Sequence, residues 1–342
     1  MSRPRILMVA TGGTIASAET EVGLVPQLTG EQLAAYVPQA AELADIDISQ
    51  PMNIDSTNMC PADWLRIAGA IVERYDDYDG FVVLHGTDTM AYTAAALSYL
   101  VQQSPKPIVL TGSQQPMASP FTDARINLYQ SVLYAADPAS RDVSVVFGGK
   151  VVAGTRARKQ RTMSFNAFTS VNYPELALIR NGRIIRTAPA PSRVAADHPA
   201  GAALPDGPRV YGSLSTHVIV LKLTPGLLPA TFDLLCDDYE AIILETFGIG
   251  GVPDTLRDAI FGWVDSGHTL VITTQVPEEG LDLGVYEVGR AFAEHPGILR
   301  GADMTTEALV AKTMWALAQA HDASHLRELF YRPVNCDRLP EE

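Results

Sequence analysis

The stretch Phe81–Met90, which reads FVVLHGTDTM, decides the fold of this 342-residue chain. It begins with a continuous apolar run, as expected of a strand buried on both faces of a parallel sheet. Thr87, Asp88 and Thr89 follow that run, and a helix-like stretch covers residues 91–100. In parallel α/β sheets ligands bind beyond the carboxyl ends of the strands, where helix N-termini also favour anions. The stretch therefore predicts a ligand site at a strand-to-helix joint.

A second joint of this kind lies near the start of the chain. The strand-like segment Arg5–Ala10 runs directly into Thr11–Ala16, which reads TGGTIA. Its two glycines permit close backbone approach and leave amides open, so Thr14 is a candidate nucleophile. A threonine hydroxyl is a weak nucleophile unless a base takes its proton and donors receive the oxyanion. Taken alone, the segment is equally consistent with a tight turn or a phosphate-binding loop.

Strand, polar turn and helix recur along the first half of the chain, which is the pattern of a parallel doubly wound sheet. Two further polar turns follow strand-like runs, at Asp55–Met59 and at Thr111–Gln114. Within the first of them Asp55, Ser56 and Thr57 offer hydroxyls and amides suited to a carboxylate. The alternative interpretation of these three residues is an Asx turn before a helix.

The length of the chain favours two domains. Residues 187–208 are rich in Pro, Ala and Gly and lose the periodicity, so they predict an interdomain linker. We therefore expect an N-terminal catalytic α/β domain over residues 1–186 and a smaller α/β domain over residues 209–342, where strands and helices again alternate.

Three charged or polar groups around the central joint suggest chemistry. Asp88 has the charge to anchor a substrate ammonium group while Thr87 serves catalysis, although capping of a helix is the simpler task for an aspartate there. Lys159, within a basic stretch, is a candidate base for a threonine, although most such lysines are merely solvated. His85 lies beside this set and is expected to be a hydrogen-bonded structural residue.

Composition excludes several classes of function. The formal charge of −14 disfavours a nucleic-acid partner, and no apolar run approaches the ~20 residues of a membrane helix. The chain opens with no recognisable secretory signal. Cys60, Cys236 and Cys336 are too scattered for a disulfide framework, which predicts free thiols and a cytoplasmic location. His321 and His325 are four apart but lack a third metal ligand.

TGGTIA together with HGTDTM resembles the paired signature of the bacterial-type L-asparaginases. A DST element between the two and a lysine after GTR strengthen the resemblance, which covers essentially the whole chain. Further stretches resemble the cytoplasmic type I branch of that family: Asp55–Met59, Lys106–Ser113, Gly250–Pro253, Ile272–Gln275 and Gly301–Met304.

The resemblance implies hydrolysis of the side-chain amide of L-asparagine to L-aspartate and ammonia, without a cofactor or metal. It makes Thr14 the usual nucleophile, and it makes Lys159 and Asp88 the groups that polarise Thr87. Asp88 would also bind the amine of the substrate, and Thr87 would contact the substrate too. It implies a homodimer or homotetramer as well. The residues implied for the substrate α-carboxylate are Asp55, Ser56 and Thr57.

Three positions depart from the family pattern. Leu24 stands where a loop tyrosine close to the first threonine is common, so another group must help Thr14 or turnover depends more on Thr87. Gly251 stands where an asparagine often reaches a neighbouring subunit. Val276 replaces a cysteine that some type I enzymes link to allosteric asparagine binding.

Two alternative functions remain open at this stage. One is an asparaginase-like subunit of a tRNA-dependent amidotransferase, which delivers ammonia to a partner; such subunits usually carry an additional N-terminal domain, whereas TGGTIA here begins at residue 11. The other is a catalytically silent amino-acid-binding module, which would not require Thr14, Thr87, Asp88 and Lys159 together. The preference for asparagine over glutamine rests on about one methylene, worth only ~1–3 kcal/mol in a pocket.

Overall fold

The computed structural model describes residues 3–13, 15, 17–20, 23–26, 37–187, 207–284 and 287–339. Two compact units are present. The first comprises Met1–Gly212 and Val334–Cys336, and the second comprises Ser213–Pro333 and Asp337–Glu342. The boundaries expected from the sequence, with most of the linker outside the described residues, stay a prediction.

The first unit is built on an eight-stranded mixed sheet. The strands of this unit are β1 (Arg5–Ala10), β2 (Ser17–Thr20), β3 (Gly23–Pro26), β4 (Asp45–Ser49), β5 (Gly80–Leu84), β6 (Val101–Gln102), β7 (Pro107–Thr111), β8 (Asp142–Phe147), β9 (Lys150–Ala153), β10 (Ala157–Lys159), β11 (Phe168–Ser170), β12 (Ala177–Arg180), β13 (Arg183–Arg186) and β14 (Arg209–Val210). The order of strands in the sheet is β13-β12-β9-β8-β7-β5-β1-β4. Strands β4, β1, β5, β7 and β8 are parallel, whereas β9, β12 and β13 form an antiparallel edge.

Helices connect the parallel strands of this sheet along the chain. The helix Met90–Leu100 is buried along nearly its whole length, which explains its Ala-rich, almost uniformly apolar sequence MAYTAAALSYL. The helix that begins at Pro61 is instead amphipathic and buries Trp64, Ile67 and Ile71. The described helices of the first unit are α1 (Ala40–Leu43), α2 (Pro61–Val72), α3 (Met90–Leu100) and α4 (Ala124–Ala135).

The polar turns after β1, β4, β5 and β7 meet at one edge of the sheet. The Gly13 amide donates to the Ile54 carbonyl at 3.0 Å, and the His85 amide donates to the Thr111 carbonyl at 2.8 Å. Gly13 has a φ of +80°, and a Cβ there would lie 2.3 Å from the Gly86 Cα. Only glycine permits this approach of two backbones, so the two glycine-containing signatures are in direct contact.

The second unit holds a four-stranded parallel sheet with the order β15-β16-β17-β18. Its core is aliphatic and aromatic and includes Trp263 and Phe292. The elements of this unit are β15 (Val218–Lys222), α5 (Ala230–Leu235), β16 (Ala241–Thr246), α6 (Arg257–Asp265), β17 (Thr269–Thr274), α7 (Glu287–Glu294), β18 (Ile298–Arg300), α8 (Thr306–Gln319) and α9 (Ala323–Tyr331).

The predicted fold class is confirmed: a large, mainly parallel α/β unit is followed by a smaller parallel α/β unit. None of the three cysteines, all of which are described, forms a disulfide. Within the described ranges no helix is long and apolar enough to cross a membrane. The same residues contain no group of three His, Cys, Asp or Glu side chains arranged to hold a metal ion.

Candidate active site

Thr87 and Asp88 lie just beyond the carboxyl end of β5, before α3 begins at Met90. Thr87 is only 5% exposed, whereas Asp88 reaches solvent. The Thr89 hydroxyl donates to the Ser56 carbonyl at 2.7 Å and thereby joins this segment to the polar turn after β4. This hydrogen bond fixes the predicted strand-to-helix joint against the turn that follows β4.

Lys159 ends the short strand β10, which pairs antiparallel with β11. Its Nζ lies 2.7 Å from the Thr87 Oγ1 and 2.6 Å from the Asp88 Oδ1. The ammonium group donates to both oxygens, and its side chain is 16% exposed. The fold thus brings together three candidate residues, although Lys159 is more than 70 positions from the other two.

The segment Asp55–Thr57 lies against the same joint. Asp55 Oδ1 accepts the Thr57 amide at 2.9 Å and the Thr57 hydroxyl at 3.0 Å, which starts a short 3-10 helix. The Asx-turn interpretation is therefore correct for Asp55 and Thr57. Ser56 is buried, and a Cβ built on Gly86 would lie 2.4 Å from its Oγ. The Ser56 hydroxyl thus lies directly beside the segment that carries Thr87.

Thr14 lies outside the described residues, so its role as a nucleophile stays a prediction. The glycine before it contacts Gly86, as noted above. Leu24 belongs to β3, which pairs with β2 as a short antiparallel hairpin. The absence of apolar periodicity over residues 17–27 predicts a loop, whereas residues 17–20 and 23–26 form this hairpin.

Gln114 and Asp123 are two residues of this region that sequence reasoning did not single out. The Thr87 hydroxyl donates to Gln114 Oε1 at 3.2 Å. Asp123 is 4% exposed and accepts the Gln114 amide with both carboxylate oxygens, at 3.1 and 3.0 Å. Burial raises the pKa of Asp123, and the donated backbone hydrogen bonds oppose this rise. The polar turn after β7 was the available sequence signal for Gln114; Asp123 had none.

His85 is a neutral structural residue beneath Thr87. Its ring is fully buried, with Nδ1 2.7 Å from the Gly86 carbonyl and Nε2 2.8 Å from the Thr93 hydroxyl. Because a carbonyl only accepts, Nδ1 carries the proton and Nε2 accepts from Thr93. Burial lowers the pKa of His85 to about 4. The neutral ring therefore fixes the peptide that leads into Thr87.

This lowered pKa predicts a loss of stability in acid. Between the ordinary value near 6.5 and about 4, the unfolded chain binds a proton that native His85 does not. The free energy of unfolding therefore falls as the pH falls through this window. At about 1.36 kcal/mol per pKa unit, His85 alone accounts for about 3 kcal/mol. Urea unfolding of the first unit at pH 7.5, 6.5, 5.5 and 4.5 measures the loss.

The matched control for this prediction is His85→Gln, which keeps an amide donor and does not titrate. Carboxylates titrate in both proteins, so the difference between the two pH dependences isolates His85. We expect the variant to lose less stability than the wild type between pH 6.5 and 4.5. Parallel curves for the two proteins would contradict the buried neutral histidine.

The arrangement combines an activated hydroxyl with sites for opposite charges. A cation beside Thr87 Oγ1 stabilises negative charge that develops on this oxygen. The exposed Asp88 carboxylate is suited to an ammonium group, and the N-terminus of α3 favours an anion. These groups fit a small zwitterionic substrate with a reactive carbonyl carbon.

Comparisons with known proteins agree with this description. The family described as "Asparaginase, N-terminal" matches residues 5–191, and the "Glutaminase/Asparaginase C-terminal domain" matches residues 217–330. The solved structure of the thermostable L-asparaginase from Thermococcus kodakarensis aligns with a TM-score of 0.87 at 34% identity, covering 98% of this chain and 100% of that one.

Three curated relatives are similar over nearly the whole chain. The L-asparaginase of Thermococcus kodakarensis is 36% identical, covering 96% of this chain and 98% of that protein. L-asparaginase 1 of Escherichia coli is 34% identical over 100% of both chains. A glutamyl-tRNA(Gln) amidotransferase subunit from Metallosphaera sedula is 33% identical, covering 95% of this chain and 74% of that protein. The prediction of a bacterial-type, type I family member is thus confirmed: the chain belongs to the asparaginase family.

Proposed function

We propose that this protein hydrolyses the side-chain amide of L-asparagine to L-aspartate and ammonia. The observation that carries the proposal is the double hydrogen bond from Lys159 Nζ to Thr87 Oγ1 and Asp88 Oδ1, at 2.7 and 2.6 Å. A buried hydroxyl that is polarised in this way is an activated group at the end of a strand, where substrates bind in such sheets. The names of the T. kodakarensis and E. coli relatives support the choice of substrate.

The reaction proceeds through an acyl-threonine. The hydroxyl oxygen of Thr14 bonds to the amide carbon, the C–N bond breaks, and the nitrogen leaves as ammonia with the hydroxyl proton. Water then adds to the ester: its oxygen stays in the new carboxylate, and a proton returns to the threonine. Lys159 and Thr87 serve the proton movements, because the ammonium group stabilises charge on Thr87 Oγ1. The contact between Gly13 and Gly86 supports two threonines acting on one carbonyl.

The substrate is held by charge and by hydroxyls. Asp88 binds the α-ammonium group, and the Ser56 hydroxyl binds the α-carboxylate. Because the Thr57 hydroxyl donates to Asp55, those two residues shape the turn around Ser56 rather than donate to the substrate. The protein acts without a metal or cofactor, in the cytoplasm, as a homodimer or homotetramer.

Ammonia release by the purified protein from L-asparagine, L-glutamine and D-asparagine tests this function. We expect release from L-asparagine, with Thr14→Ala and Lys159→Met each reducing it strongly. Binding of L-aspartate without release from any amide would instead identify an amino-acid-binding module.

A second candidate is an amidotransferase subunit, which the 33% identity to the M. sedula protein favours. A protein of this kind would pass the ammonia to a partner protein instead of releasing it alone. Rapid steady-state turnover by this chain with no other protein present supports the asparaginase. Turnover that requires added amidotransferase partner and its tRNA would support the second candidate.

A further inference from the structure

The Gln114 side chain contacts the Thr87 hydroxyl, as Lys159 does, and its neighbours determine the orientation of its amide group. The Nε2 atom lies 3.4 Å from the Arg161 carbonyl and 3.3 Å from the Ser164 carbonyl. Carbonyl oxygens only accept, so the amide nitrogen must face them and Oε1 must face Thr87. Gln114 is therefore an acceptor toward the Thr87 hydroxyl, at 3.2 Å.

This orientation accounts for every hydrogen-bonding position of the Thr87 oxygen. A hydroxyl has one proton and two lone pairs. The proton is donated to Gln114 Oε1, and one lone pair accepts from Lys159 Nζ. Only the second lone pair is then left for a substrate, for water or for another hydroxyl.

Hydrogen bonds to the Asp123 carboxylate fix the backbone of Gln114. Its amide is held by both oxygens of Asp123, and Asn127 donates to Asp123 Oδ2 at 3.1 Å and to the Gly112 carbonyl at 3.0 Å. Asp123 and Asn127 are both buried. The carbonyls that Gln114 contacts belong to the loop that follows Lys159. Gln114 thus links the two segments that carry Thr87 and Lys159.

We propose that Gln114 is a positioning residue that holds the Thr87 proton and so directs the one open lone pair of Thr87 Oγ1 toward the hydroxyl or water that attacks the substrate. This inference rests on the asparaginase function proposed above. Without the Gln114 acceptor the hydroxyl rotates, and its proton occupies the direction in which the lone pair is needed. The fraction of productive complexes falls while the groups that bind the substrate remain.

Gln114→Leu tests this role because leucine removes the acceptor at similar volume. We expect kcat for L-asparagine to fall about 10- to 100-fold, as for the loss of a partly buried hydrogen bond, with KM changed less than about threefold. Gln115→Leu is the matched control, since Gln115 is the neighbouring glutamine and is exposed. Thermal unfolding of both variants verifies that each is folded.

Gln114→Glu gives a readout that loss of packing does not. The second oxygen of a glutamic acid at this position faces the Arg161 and Ser164 carbonyls. It replaces the amide nitrogen as a donor only when the acid is protonated. Charged residues near this position include Asp123, which accepts the Gln114 amide, Arg161, whose carbonyl contacts the Gln114 side chain, and the ion pair of Lys159 with Asp88 beside Thr87. We expect the ratio of variant to wild-type kcat to rise as the pH falls from 8 to 5.

The outcomes separate this inference from the function on which it rests. Wild-type protein that releases no ammonia from L-asparagine overturns both. An active wild type with Gln114→Leu unchanged in kcat, or with the loss confined to KM, overturns the role of Gln114 alone. A pH-independent ratio for Gln114→Glu also contradicts it.

Discussion

Replacement of Thr87 by alanine is expected to lower kcat for L-asparagine by about 10⁴- to 10⁶-fold, in the range found when an enzyme loses an activated hydroxyl. The substitution removes the oxygen that Lys159 Nζ contacts at 2.7 Å, while the ion pair with Asp88 at 2.6 Å is retained. The charges that bind the substrate therefore remain, and the loss appears in kcat more than in KM. Steady-state ammonia release measures it, and the same magnitude is expected for Thr14→Ala.

Two variants control this prediction. Thr87→Ser keeps a hydroxyl beside Lys159 and is expected to retain far more activity than Thr87→Ala. Thr269→Ala removes a threonine hydroxyl at the first residue of β17, away from the carboxyl ends of the strands, and is expected to leave kcat within about twofold. A Thr87→Ala protein with kcat within tenfold of wild type would remove Thr87 from the chemistry.

The largest expected effect on stability belongs to a buried ion pair in the second unit. Lys312 and Asp337 side chains are both fully buried, with Nζ 2.6 Å from Oδ2. Lys312 also donates to the Arg332 carbonyl at 2.8 Å, and burial lowers its pKa while Asp337 opposes this. Lys312→Met removes the ammonium group and leaves a buried carboxylate beside a thioether. We expect the second unit to lose about 3 kcal/mol or more.

Urea unfolding at neutral pH measures this loss. The control is Lys222→Met at the exposed end of β15, which changes the same charge at the surface and is expected to cost less than about 0.5 kcal/mol. The double variant Lys312→Met with Asp337→Leu removes both charges, and it should be more stable than Lys312→Met alone. Equal stability of Lys312→Met and wild type would contradict the account of this pair.

Local sequence patterns predicted the sheet well because its parallel strands are continuous apolar runs followed by polar turns. The predicted joint at residues 81–90 corresponds to β5 and the start of α3. The sequence patterns did not predict the antiparallel edge formed by β9, β12 and β13. Its direction follows from two short turns, Gly148–Gly149 and Asn181–Gly182, which join β8 to β9 and β12 to β13 as hairpins. Apolar periodicity alone does not report the direction of a strand, so the periodic pattern did not predict this edge.

The site was harder to predict because its contacts are long-range. Lys159 has the sequence context of a solvated lysine, and only the pairing of β10 with β11 brings it to Thr87. The link from Gln114 to Thr87 and the support from Asp123 are likewise tertiary hydrogen bonds with no local signal. The family resemblance supplied the role of Lys159, but it supplied nothing for Gln114.

A crystal structure with L-aspartate bound tests the central claim most directly. The account predicts the side-chain carboxylate between the Thr14 and Thr87 hydroxyls, the α-ammonium group on Asp88 and the α-carboxylate at Ser56. It also predicts that Gln114 Oε1 stays within hydrogen-bonding distance of Thr87 Oγ1. L-Aspartate bound at another place in the first unit would contradict the account. A bound ligand whose side-chain carboxylate lies near neither Thr14 nor Thr87 would contradict it as well.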